Sequence, residues 1–297
     1  MRSRIIDFHT HTFSDKIAPR AVDQLRRSAN TLNYLDGTDT SLSVSTKENG
    51  IECSIVLPVA TRPGQAHAIN VASAQKNQRM EQTGLLFFAA IHPADENTTE
   101  MLSEIKAAGF LGIKLHPLFQ DEYIDGIRYM RLIEKASELE LVTVIHAGYD
   151  ISFHHKDFAN VAHILNMIKQ VKPHNVVLAH MGGWGEWDAV ESDLCGADVY
   201  FDTSFCMTPI IPFEPEGEHV CKTALGREQF VRIVRKHGAD KILFGSDSPW
   251  AKQSEAIEVV KKSGLEEAEV RQILGLNAQT IASFLNPSLG AFSRWSI

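Results

Sequence analysis

Two histidines one residue apart, His9 and His11 in the stretch DFHTHTF (7–13), stand at the end of the chain's first apolar run. In an extended strand residues i and i+2 share a face, so both imidazoles project together while Thr10 turns away. Two imidazoles aimed at one point are the beginning of a metal site. Later apolar runs end on similar chemistry: Lys114 and His116 in GIKLHP, His146 in VTVIHAG, His180 in NVVLAHMGG and Asp247 in KILFGSDSPW. Counting back by two meets small or apolar side chains: Val144 and Val142 behind His146, Leu178 and Val176 behind His180, Gly245 and Leu243 behind Asp247. That alternation puts the polar groups on the inner face of a closed sheet, so His9, His11, His146, His180 and Asp247 are expected to converge. Burying such a set alone is costly, and a divalent cation removes the cost. Imidazole nitrogen and carboxylate oxygen suit zinc, with manganese or iron as alternatives, and a catalytic site keeps one position open for water.

Eight short β-branched runs must position these groups: 4–11, 53–59, 85–93, 112–117, 142–148, 175–183, 198–204 and 241–250. Segments of helical periodicity follow them, including 98–109 and 226–238, each closing on glycine. Strands alternating with helices imply a parallel sheet, and eight of them imply an α/β fold of the (β/α)8 TIM-barrel type. No linker or composition break divides the chain, so 1–297 reads as a single domain, with terminal helices over 267–285 packing on the barrel's outside. Three long segments, 13–40, 148–158 and 204–226, follow strands one, five and seven, where a barrel carries its active-site loops at the C-terminal rim.

Composition narrows the function. The 297 residues are 44% hydrophobic and 22% charged with net charge -8, and no basic stripe is present, so nucleic acid is not the partner. No stretch approaches the ~18 apolar residues of a membrane span, and the N-terminal apolar run is too short for a signal sequence, so a cytoplasmic protein without a membrane partner is expected. The four cysteines, Cys53, Cys195, Cys206 and Cys221, form no C-x-x-C pair and read as thiols, although a bridge between Cys206 and Cys221 is open.

The motifs DFHTHTF, GIKLHP, VIHAG, LAHMGG and FGSDSPW, in this order, resemble the amidohydrolase superfamily, specifically the amidohydrolase-2 branch that includes aminocarboxymuconate semialdehyde decarboxylase. The resemblance implies a distorted (β/α)8 barrel with one divalent metal, a small-molecule substrate and a homodimer as the default assembly. It implies that His9, His11, His146 and Asp247 ligate the metal and that His180 is catalytic. Metal-activated water attacking an amide, lactone or similar bond of a small carboxylate-bearing or cyclic substrate is the leading expectation, with Asp247 and His180 moving protons. Non-oxidative decarboxylation of an aromatic or unsaturated acid on the same residues is the alternative. In binuclear members of the superfamily a strand-four lysine is carboxylated, and a carbamylated Lys114 would turn His146 and His180 into ligands of a second metal.

Arg62, in the loop after strand two, is a candidate clamp for a substrate carboxylate, and Lys114 and His116 are candidates to orient an anion. Trp184, beside His180 in MGGWGEW, is a candidate pocket wall. His92, His154 and His155 also fall near strand ends or rim loops, where hydrogen bonding or solvent exposure accounts for them equally well.

Overall fold

The apolar runs become the strands β1 (Ile5–Thr10), β2 (Ile51–Val56), β3 (Leu85–Phe87), β4 (Ala89–Ala90), β5 (Gly112–Leu115), β6 (Val142–Ile145), β7 (Val176–Leu178), β8 (Tyr200–Asp202) and β9 (Ile242–Leu243). The computed structural model describes residues 4–153, 155–214 and 224–281. Neighbouring strands pair in parallel, in the orders β1-β2-β3 and β4 to β9. β3 and β4 are halves of one run broken at Phe88, whose N–H donates to the Val56 carbonyl at 3.0 Å. Closure comes from the other end: the Phe8 N–H donates to Phe244 O at 2.7 Å, the Asp247 N–H to His9 O at 2.8 Å, and Thr10 bridges Ser248. The result is a closed eight-staved (β/α)8 barrel, as the alternation of runs implies.

Two apolar layers hold it. Ile6, Phe8, Ile55, Leu57, Phe88, Val144, Val177 and Leu243 fill the interior, with Phe8 and Phe88 edge to face at 5.9 Å. Ile113, Leu115, Ile145, Val176, Leu178 and Phe201 face outward onto the helices. The terminal helical run departs from expectation. Ala278 and Ile281 of helix Asn277–Ile281 join the inner cluster with Ile6 and Val142, so this run closes the N-terminal end of the barrel instead of lying on its outside. Gly275 makes the approach possible, because a Cβ there would stand 2.0 Å from the Arg4 carbonyl oxygen. Among the described residues no helix is long and apolar enough to cross a membrane. Residues 215–223 of the 204–226 segment, including Cys221, and residues 282–285 lie outside the described residues.

One irregularity governs the site. β1 pairs Asp7 with Ser54 and Thr10 with Val56, three steps against two, so it carries a bulge. The extra residue lets both Phe8 and His9 face inward, while Asp7 turns the other way. There its buried carboxylate accepts from Ser246 N at 2.9 Å, Ser246 Oγ at 2.6 Å and Gln253 Nε2 at 2.8 Å. Burial pushes the Asp7 carboxyl up to about 6, against the pull of these hydrogen bonds. The His9 N–H adds a fourth donor at 3.3 Å, and removing the acceptor strands all four, so Asp7→Ala is expected to cost about 3 kcal/mol in a urea melt. A loss below about 1 kcal/mol would show that the bulge does not depend on this brace.

Candidate active site

Each group of interest sits at or just past a strand end. His9 lies on the bulge and His11 one residue beyond β1, while Lys114 is within β5. His116 follows β5 directly and caps the short helix Pro117–Gln120, its Nδ1 accepting the Phe119 N–H at 3.4 Å. His146 directly follows β6, with Val142 and Val144 in the inner layer below it, as the count by two requires. At β7 that count fails. Leu178 and Val176 belong to the outer layer and Val177 to the inner, so a straight strand would send His180 outward. A left-handed turn re-aims it: φ is 59° at His180, 55° at Met181 and 82° at Gly182. Asp247 is also left-handed, at φ 64°. For non-glycine residues such conformations persist only where surrounding contacts impose them.

The donor atoms then meet. His9 Nε2 lies 3.1 Å from His11 Nε2, and Asp247 Oδ1 lies 3.5 Å from the first and 3.3 Å from the second. These three groups can share one cation; His146 is outside that set. The hydrogen-bond network assigns the tautomers. His9 donates its Nδ1 proton to Asp202 Oδ2 at 2.7 Å, and His11 donates its own to Leu57 O at 2.9 Å. His180 donates from Nδ1 to Ser204 O at 2.9 Å, and His146 donates from Nε2 to Tyr149 O at 3.0 Å. A neutral imidazole has one proton, so His9 Nε2, His11 Nε2, His180 Nε2 and His146 Nδ1 all present lone pairs inward. His180 Nε2 and His146 Nδ1 face each other at 3.1 Å. Lone pairs facing lone pairs and a carboxylate repel, and a divalent cation reverses the sign, so the donor set fits a metal.

Electrostatics keep the imidazoles in their ligand form. Burial, with help from Lys114, takes His9 down to about 3, and burial takes His146 well below the ordinary histidine value. Burial also takes Lys114 down to about 8; its Nζ donates to His9 Nε2 at 3.3 Å. Burial works to raise Asp247, but His11, His9 and His180 hold it below the usual carboxylate range.

A second cluster, His116, His146 and Asp150, has the composition of a cation site but not its protons. The His116 and His146 rings stack at 4.1 Å. With Nδ1 engaged by Phe119, His116 carries its proton on Nε2, 3.4 Å from Asp150 Oδ2, and the neighbouring His146 Nε2 is also protonated. The His116 N–H faces the carboxylate, while the His146 N–H is given to Tyr149 O and stands 4.0 Å from Asp150, so neither ring offers a cation a lone pair on this side. Asp150, Asp202 and Ser204 are functional candidates that the motifs do not single out. Asp202 has a visible signal, since it ends β8 as the other polar groups end their strands.

Above the donors opens a cavity of about 1050 Å³, lined by His9, His11, Lys114, His116, His146, His180 and Asp247 at its floor. Phe13, Ile17, Phe119, Tyr149, Trp184 and Phe205 form apolar walls, and the exposed Arg20 and Arg62 stand at the rim. The Trp184 indole N–H donates to Phe205 O at 3.1 Å, which fixes the ring against the cavity. His92 stays out of it, its Nδ1 accepting the Ala94 N–H; His155 is exposed, and His154 is outside the described residues.

A closed (β/α)8 barrel with imidazoles and a carboxylate at its C-terminal rim defines a class of enzyme scaffold. A family model described as amidohydrolase matches residues 58–281, and the chain belongs to that family, an enzyme of the amidohydrolase superfamily. No curated protein matches the chain. Among solved structures it is similar to 5-carboxyvanillate decarboxylase from Sphingomonas paucimobilis, with TM-score 0.64 and 14% identity over 94% of this chain and 99% of that one. A dihydroxybenzoic acid decarboxylase from Polaromonas, with bound manganese and 2-nitroresorcinol, gives TM-score 0.66 at 16% identity over 96% and 98%. A probable 2-pyrone-4,6-dicarboxylic acid hydrolase from Acinetobacter baumannii, with citric acid bound, gives 0.62 at 16% identity over 95% and 100%. At these identities the likeness is one of fold.

The buried imidazoles give the metal-stripped protein an acid limit. Burial holds His116 and His237 at about 4, His9 at about 3 and His146 well below its ordinary value, so all four are neutral when folded but protonate near 6.5 when unfolded. Unfolding near pH 5 therefore takes up four protons there and releases about one from Asp7, a net of about three, so stability falls as pH drops below 6.5. Urea midpoints of the stripped protein should be clearly lower at pH 5 than at pH 6.5; equal midpoints would contradict the neutral assignments.

Proposed function

We propose that the protein is a metal-dependent hydrolase acting on a small, carboxylate-bearing or cyclic substrate at an amide, lactone or similar bond. What carries the reading is the inward set of lone pairs, His9 Nε2 and His11 Nε2 with Asp247 Oδ1, at the floor of a cavity that His180 also lines. His9, His11 and Asp247 would hold the cation, with His146 completing the set through Nδ1. Zinc suits these donors, and the manganese in the Polaromonas decarboxylase supports that ion equally. Bound there, a divalent cation supplies Lewis acidity and lowers the pKa of water toward ~7.

The chain's own groups do the rest. His180, fixed through Nδ1 by the Ser204 carbonyl, offers Nε2 to accept a proton from attacking water and return it to the leaving group. The second oxygen of Asp247 would serve the same exchange. At the rim, Arg62 pairs with a substrate carboxylate, while Lys114 and the His116 N–H bias the floor toward anions. Trp184 and its apolar neighbours exclude bulk water. The protein works on a small molecule; a homodimer is the assembly we expect.

Decarboxylation is the second reading, favoured by the decarboxylases among the similar structures. There His180 or Asp247 would protonate the substrate carbon before carbon dioxide leaves. A two-metal variant is favoured by one observation, the fully buried Lys114 amine beside His9, which is a candidate for carbamylation.

Purified, metal-loaded protein assayed against lactones, amides and aromatic acids should release acid from the first two classes. Carbon dioxide release without hydrolysis would replace the leading reading by the second. On whichever substrate turns over, His180→Asn should lower kcat by about 100-fold while bound metal, counted by elemental analysis, is unchanged. Full turnover by that variant would remove the proton-transfer role. Arg62→Ala should raise KM about tenfold with little change in kcat; an unchanged KM would move the carboxylate elsewhere.

A further inference from the structure

Asp202 touches neither the cavity's donor atoms nor the candidate cation position, yet it is completely buried and meets two of the site's histidines at once. Its two oxygens are used unequally. Oδ1 accepts three donors: the His180 N–H at 3.0 Å, the Ser204 N–H at 3.0 Å and the Ser204 hydroxyl at 2.5 Å. Oδ2 accepts the His9 Nδ1 proton at 2.7 Å. Ser204 in turn uses its carbonyl to take the His180 Nδ1 proton. We propose that Asp202 is a positioning residue that fixes the His9 tautomer and, through the turn it forms with Ser204, the orientation of His180, so that metal retention depends on a carboxylate that never touches the metal.

The inequality of the two oxygens makes this testable with one isosteric change. In Asp202→Asn the side-chain carbonyl must take the Oδ1 place, because two backbone N–H groups there cannot turn away. The amide NH2 then occupies the Oδ2 place, facing His9 Nδ1. An NH2 only donates and stands against the His9 Nδ1 proton, so the proton is driven to Nε2, where it blocks the lone pair that the cation needs; the Ser204 hydroxyl, 3.1 Å from His9 Nδ1, is the weaker competing acceptor. Ser204→Ala is the control. It deletes a hydroxyl that also lies 3.1 Å from His9 Nδ1 and 2.9 Å from His180 Nδ1, but keeps the backbone N–H and carbonyl and leaves the Asp202 carboxylate, the nearer acceptor of the His9 proton at 2.7 Å, in place.

The proposal rests on the reading of His9 as a metal ligand, and two measurements separate the two ideas. Zinc and manganese dissociation constants, measured by chelator competition on folded protein, should rise about 10- to 100-fold in Asp202→Asn and much less in Ser204→Ala. Nitrogen-15 NMR of the metal-free proteins should find the His9 proton on Nδ1 in the wild type and on Nε2 in Asp202→Asn. A role limited to stability would lower the melting temperature but leave the dissociation constant and the tautomer unmoved, and that result overturns the proposal. If Asp202→Asn does not fold, the wild-type tautomer decides: a proton on Nδ1 supports the proposal and one on Nε2 overturns it. Wild type that binds neither metal would sink the metal reading itself, with the tautomer still reporting on Asp202.

Discussion

A neutral imidazole carries a single proton, and once that proton is given to a fixed acceptor the opposite nitrogen must present a lone pair. Four histidines of this barrel are bound by that constraint, each tied at its outer nitrogen to a carboxylate or a backbone carbonyl: Asp202, Leu57, Ser204 and Tyr149. Their inner nitrogens are therefore forced to be acceptors in a buried space that also holds Asp247. Burial opposes protonation of His9 and His146. Lys114 supplies one donor to His9 Nε2, and a divalent cation would satisfy the lone pairs that Lys114 does not reach. The same rule discriminates between two side-chain clusters of similar composition, since beside Asp150 both His116 and His146 carry their protons on Nε2, the first facing the carboxylate and the second given to Tyr149, and no lone pair is left there for a cation.

Delivering these nitrogens takes more than regular strands. A parallel sheet alternates its faces, and neither His9 nor His180 is placed inward by simple alternation. At β1 a bulge adds the missing residue, and the chain secures it by turning Asp7 onto Ser246 and Gln253 on the far side. At β7 a left-handed turn does the work, held by Asp202 on the His180 N–H and by the Trp187 indole on the His180 carbonyl at 3.1 Å. Irregular backbone at these two strand ends thus serves the candidate site, and its strain is offset by hydrogen bonds that regular strands would not need.

These irregularities mark where the sequence is legible. The eight strands and the identity of the inward groups can be read from it, because a soluble barrel seldom ends one β-branched run after another on histidine or aspartate unless those groups face a common site. The facing of His180 cannot, because the count by two assumes a straight strand and a single positive φ changes the parity. Asp202 escapes the motifs because its value lies in what it accepts from His9, a partner nearly the whole length of the barrel away in the chain. The terminal helix is equally hard to place, since an amphipathic face shows that something is buried but not against which surface. In the structure the close approach at Gly275 and the packing of Ala278 and Ile281 with Ile6 fix it against the start of β1.

Hydrolysis and decarboxylation lie so close on this scaffold because they need the same floor. Each asks for a cation to gather negative charge and for one group to move a proton, and on the proposed reading the same donors would hold the cation and the same His180 or Asp247 would move the proton in both. What differs is where the proton goes, to a leaving heteroatom or to carbon, and that is set by how the substrate is held above the floor. The walls answer through shape: Phe119, Tyr149, Trp184 and Phe205 present flat apolar faces, whereas the guanidinium groups of Arg20 and Arg62 stand at the rim. A substrate gripped by its carboxylate at that rim turns some other bond toward the cation, the geometry of hydrolysis. One that instead buries its carboxylate against the cation and Lys114 places the carbon–carboxylate bond there, the geometry of decarboxylation. On the proposed reading of Arg62, the end of the substrate held at the rim would select the reaction, which would put specificity in the rim loops and leave the buried donors common to both.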